Sequence, residues 1–71
     1  MPVYQVGIYN KHIRARVRNG DPVEENMESW EDVNYFDVTA NSESQARHLM
    51  KSQYKESQGF IIESVDKYPG T

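Results

Sequence analysis

Lys11-His12-Ile13-Arg14-Ala15-Arg16-Val17-Arg18 is the stretch on which the reading of the fold turns. Apolar and basic residues alternate through it with a period of two. In a β-strand, Ile13, Ala15 and Val17 face one side, and His12, Arg14, Arg16 and Arg18 face the other. The preceding residues, Val3 to Tyr9, alternate too, with Tyr4, Val6 and Ile8 on one face. A two-residue turn at Asn10-Lys11 joins the two runs into a hairpin, Asn being a residue that tolerates the left-handed backbone of such turns. That register sets Ile8 against Ile13, Val6 against Ala15 and Tyr4 against Val17, and a one-residue slip mixes the faces. It also sets Gly7 opposite Arg14.

Asn19-Gly20 ends the second run with a turn signal. Asp21-Pro22-Val23-Glu24 reads as a helix start, and Val23, Met27 and Trp30 make a short apolar stripe, so one or two helical turns or an ordered acidic loop follow. Val33–Ala40 returns to strand, with Phe36, Val38 and Ala40 inward and Tyr35, Asp37 and Thr39 outward. The clearest helix comes next: Ser42-x-x-Gln45 is a capping box, and Ala46, Leu49, Met50 and Tyr54 form its apolar stripe. Gly59 closes it. Phe60–Val65 is the last strand, its facing left ambiguous by three consecutive apolar residues.

The expectation is one small α+β domain over 1–71, ordered β-β-[short helix or loop]-β-α-β, with residues 67–71 a loose tail. A mainly antiparallel sheet of three to four strands carries the main helix on one face. Tyr4, Val6, Ile8, Ile13, Val17, Phe36, Val38, Leu49 and Met50 form the expected core, and the arginine row lies on the open face.

Seventy-one residues without cysteine leave neither disulfides nor thiolate metal sites to staple the fold, so a compact core must suffice. The net charge of −3 conceals two blocks. Lys11, Arg14, Arg16 and Arg18 occur in the first twenty residues with no acid. Asp21, Glu24, Glu25, Glu28, Glu31, Asp32 and Asp37 follow with no base. The start of the chain shows neither a basic n-region nor a long apolar run, so a cytoplasmic protein without a membrane partner is expected.

Two candidate binding surfaces emerge. The first is the basic sheet face of Tyr9, His12, Arg14, Arg16, Arg18 and Tyr35, cations interleaved with aromatics as in single-strand nucleic-acid sites. Against it stand the acidic chain as a whole, the lack of an RNP-type signature, and Asp37 on the same face, where it is available to pair with the arginines. The second is the acidic segment, Glu24, Glu25, Met27, Glu28 and Trp30, where apolar anchors sit among charges suited to steering a protein partner. The competing reading makes Met27 and Trp30 the closure of one edge of the core.

No nucleophile, P-loop or HExxH pattern occurs, and His12, His48 and Asp37 fall on faces that do not converge into a metal site. No cofactor is expected. Pro2 after Met1, ahead of an apolar strand of Val3, Tyr4, Val6 and Ile8, resembles the tautomerase superfamily at that position. The resemblance implies a prolyl amine acting as a base once the methionine is removed. That family runs its first strand directly into a long helix, whereas a hairpin is expected here. The function expected from the residues is a non-catalytic adaptor or modulator, monomeric or a weak homodimer, that binds a protein through charged surfaces. A single-stranded nucleic-acid module is the alternative, and a tautomerase-like enzyme a remote third.

Overall fold

In the computed structural model, which describes residues 2–69, three antiparallel strands form an open sheet with one principal helix across one face. β1 (Val3–Asn10) is central, flanked by β2 (Asn34–Thr39) and β3 (Phe60–Lys67). α1 (Lys11–Asn19) follows β1 at once, a 3₁₀ helix spans Glu25–Glu31, and α2 (Glu43–Gln53) leads through a short 3₁₀ turn at Glu56–Gln58 into β3. The small α+β class is as expected from the sequence.

The hairpin is not. Lys11–Asn19 is helical, and β1 pairs with β2 on one side and β3 on the other. The physical reason is local. Asn10 caps a helix instead of turning a hairpin: its Oδ1 accepts from His12 N at 2.9 Å and Ile13 N at 3.2 Å. Its Nδ2 donates to the Gln58 carbonyl, and the residue is only 3 % exposed. Lys, Arg and Ala are strong helix formers, so the stretch satisfies helix propensity as well as alternation. Ile13 and Val17 are four apart and share one helical face, half-buried, while Ala15 is exposed.

Gly20, at φ 78°, closes α1 in the left-handed conformation. Its N–H donates to Val17 O, and Asp21 N–H donates to Arg16 O, the paired bonds of a Schellman motif. Asp21 therefore completes α1 rather than beginning the next helix, which starts only at Glu25. The capping expectation at α2 is met: Ser42 Oγ accepts from Gln45 N at 3.1 Å, and Gln45 reaches back to Asn41 N.

One face of the sheet builds the core. Tyr4, Val6 and Ile8 of β1 are buried with Ala40, and Ala46 and Met50 of α2 press onto them. Phe36, Val38, Ile62 and Val65 flank this row. Trp30, Phe36, Tyr54 and Phe60 close one end as an aromatic group, Trp30 lying 5.0 Å from Phe60 and 5.4 Å from Tyr54 between ring centroids. Three expected core residues lie elsewhere. Ile13 and Val17 leave the sheet with α1, and Leu49 is 38 % exposed because it sits off the Ala46–Met50 stripe.

A bulge between Gly7 and Ile8 resolves the facing of β3. Ser64 pairs with Gly7 and Ile62 with Ile8, leaving Glu63 as the extra residue. Phe60 and Ile62 thus face the core, and Ile61 lies beside Tyr9 on the other side. The first two residues of the expected tail are held to the sheet. Lys67 ends β3, and Tyr68 donates its N–H to Val3 O at 2.9 Å, while Gly70 and Thr71 lie outside the described residues.

Candidate binding surfaces

The open sheet face carries Gln5, Gly7 and Tyr9 of β1, Tyr35, Asp37 and Thr39 of β2, and Ile61, Ser64 and Asp66 of β3. No strand supplies a cation to it; Lys67, on the other face, pairs with Tyr4. Of the residues expected together on a basic sheet face, only Tyr9 and Tyr35 stand on its strands, and Arg14 reaches Tyr9 from α1. Gly7 faces Tyr35 and Ser64 rather than Arg14. A Cβ on Gly7 would lie 2.8 Å from Ser64 Oγ and Val33 Cγ1, so those side chains fill the space above it.

Asp37 does not meet an arginine. It accepts from the Tyr68 hydroxyl at 2.7 Å, and that hydroxyl in turn accepts from Gln5 Nε2 at 3.2 Å. The hydrogen bond to Asp37 holds the Tyr68 hydroxyl above its ordinary pKa, with desolvation and the carboxylate's charge acting in the same direction. Tyr35 is 59 % exposed and offers the freest ring on this face.

The arginines are distributed around α1, where successive positions turn by about 100°. Arg14 and Arg18 share one flank and His12 and Arg16 another. Arg14 is engaged twice: its guanidinium carbon stands 3.8 Å over the Tyr9 ring, and its Nε donates to Glu31 O at 2.9 Å. Among the described residues the one salt bridge is Arg47–Glu43, so neither Arg16 nor Arg18 is ion-paired with the acidic block.

The acidic segment packs against α1 instead. Neither α1 nor the 3₁₀ helix contains a fully buried residue, so together they form a satellite lobe at the end of the sheet. The molecule is correspondingly long, 42 Å, with a radius of gyration of 13.5 Å where a spherical chain of this length would have about 11 Å. Between the two helices lies a cleft of about 250 Å³ lined by Ile13, Val23 and Met27, with Arg16 and Glu24 also lining it. Glu24, Glu25 and Glu28 are exposed, whereas Trp30 turns into the aromatic end of the core. Met27 and Trp30, one stripe in the sequence, therefore serve different clusters. The signal for this split is the i, i+4 pair Ile13 and Val17, which marks α1 as the surface Met27 meets.

A second cleft, of about 150 Å³, lies between α2 and β3 and is lined by Arg47, Lys51, Tyr54, Glu56 and Phe60–Ile62. The sequence reading placed Arg47 and Lys51 simply on the solvent side of α2. Neither cleft includes Pro2, whose carbonyl accepts from Ala40 N at 3.1 Å. The first strand does run directly into a helix, although one of only nine residues. Among the described residues no group of His, Asp or Glu is placed to hold a metal ion, and no helix is long and apolar enough to cross a membrane. The chain matches no protein-family model, no curated protein and no solved structure.

Proposed function

We propose that the protein is a non-catalytic binding module that engages a protein partner through the lobe formed by α1 and the acidic 3₁₀ helix. The observation that carries this reading is the cleft of Ile13, Val23 and Met27, which joins an apolar floor to unpaired charge. Protein interfaces combine an apolar centre with a charged rim, and oppositely charged blocks orient an approaching partner. Arg16 and Arg18 on one helix and Glu24, Glu25 and Glu28 beside them provide such blocks. The nucleic-acid alternative has less support, because a phosphate backbone laid on the open sheet face would meet Asp37 and Asp66.

A photo-crosslinking amino acid at Met27, compared with one at Thr39 on β2, tests this reading in a lysate of cells that express the protein, where the salt concentration can be set. A discrete protein adduct from Met27 is expected, lost in Arg16→Glu and in about 1 M salt, where the Debye length falls to about 3 Å. Equal adducts from Thr39, or a Met27 adduct insensitive to both charge and salt, would sink the proposal. Crosslinked nucleic acid in place of protein would establish the alternative.

A further inference from the structure

The outer edge of β3 is unpaired, and a cleft opens beside it. β3 pairs only with β1, and among the described residues the main chain of Phe60–Asp66 makes no hydrogen bond beyond that ladder. Edges of this kind are usually blunted by bulges and charges. Here both devices sit in the second half of the strand, at the Glu63 bulge and at Asp66. Phe60, Ile61 and Ile62 are left as a short apolar edge without such protection, and the α2–β3 cleft opens against these same residues.

Arg47 and Lys51 stand over that edge from α2. They are one helical turn apart, about 6 Å along the axis. Same-face side chains of an added strand repeat every 6.8 Å or so. The two spacings agree closely enough for successive inward carboxylates to meet the two cations. The Arg47–Glu43 pair is loose, at 3.7 Å with both side chains well exposed, so the guanidinium can exchange partners. Glu56 is the one acidic residue lining the cleft. The outer edge of β2 is also unpaired, but the described clefts do not open beside it and it carries no cation of its own.

We infer that Phe60–Ile62 accepts an extended acidic peptide as a fourth strand, its alternate carboxylates held by Arg47 and Lys51. Main-chain hydrogen bonds supply affinity in such additions, and the pocket beside the edge supplies the choice of side chain. The site shares no residue with the α1 cleft, so either stands without the other.

The test is an amide NMR titration of the whole chain with a capped synthetic peptide of alternating glutamate and valine, up to about 1 mM, a concentration that detects even weak binding. Shifts centred on Phe60–Glu63 and on Arg47–Lys51 are expected. They should weaken about tenfold in the double variant Arg47→Glu/Lys51→Glu, a loss equivalent to about 1.4 kcal/mol. A peptide N-methylated along its backbone should fail, because it lacks the donors, and this control leaves the protein untouched. Absence of shifts, shifts confined to α1, or equal binding by the N-methylated peptide would overturn the inference. Concentration-dependent shifts at β3 without peptide would overturn it in another way, by identifying the occupant as a second copy of the chain.

Discussion

Replacing Asn10 with alanine tests the feature that separates this fold from the hairpin its sequence suggests. The Asn10 side chain accepts the amides of His12 and Ile13 and donates to the Gln58 carbonyl, all from a position 3 % exposed. Loss of a helix N-cap costs about 1 kcal/mol. The third hydrogen bond and the burial of the amides left without an acceptor raise the total to roughly 2–3 kcal/mol. A chain of this size has only about 4–11 kcal/mol of stability, so the loss is a large fraction. With a urea dependence of about 1 kcal/mol/M, the unfolding midpoint should fall by about 2 M. Trp30 fluorescence is a suitable probe, since its ring lies among Phe36, Tyr54 and Phe60. Asn10→Ser keeps a cap acceptor for the helix amides but loses the donor to Gln58, so it should fall between the wild type and alanine. Lys11→Gly gives the best hairpin-turn pair and should stabilise a hairpin, but it weakens the first turn of a helix. An alanine variant within about 0.5 kcal/mol of wild type, a serine variant below alanine, or a stabilised Lys11→Gly would refute the capping argument.

Two further outcomes follow from the open sheet face. Gly7→Ala should lower the melting temperature by about 5–15 °C, because overpacking by one methyl costs about 1–3 kcal/mol in so small a domain. Adding Val33→Ala should recover part of that loss by removing the contact 2.8 Å from the new Cβ, and an unchanged Gly7→Ala melt would contradict the packing described. The raised pKa of Tyr68 means that its hydrogen bond to Asp37 favours the protonated hydroxyl in the folded state. That contribution is complete below about pH 10, the unfolded value, and disappears as pH rises through the higher folded value. The stability gap between wild type and Tyr68→Phe should therefore narrow above pH 10, and a gap that stays constant would contradict the linkage.

Most of the core was legible in the sequence because its signals are redundant. Tyr4, Val6 and Ile8 alternate, Phe36 and Val38 alternate, and Ser42, Gln45, Ala46 and Met50 combine a cap with a helical stripe. The β3 facing was not legible, since Phe60–Ile62 is apolar throughout and only the bulge at Glu63 assigns the two faces. The candidate sites were read less well. The tyrosines of the open face and the exposure of Glu24, Glu25 and Glu28 follow from local pattern, but the grouping of the arginines depended on a period that the stretch does not settle.

The stretch Lys11–Arg18 shows where the limit lies. Charge and composition by themselves determine that a basic segment is followed at once by an acidic one, whatever backbone either adopts. Alternation in Ile13, Ala15 and Val17 is consistent with a strand, and the i, i+4 pair Ile13 and Val17 is equally consistent with a helix. Tertiary structure removed that ambiguity. β2 and β3 occupy both edges of β1, leaving no edge for a hairpin partner, and the Gln58 carbonyl fixes Asn10 as a cap. Once helical, the row of arginines is divided among different flanks, and the expected basic sheet face becomes an exposed lobe beside the acidic segment.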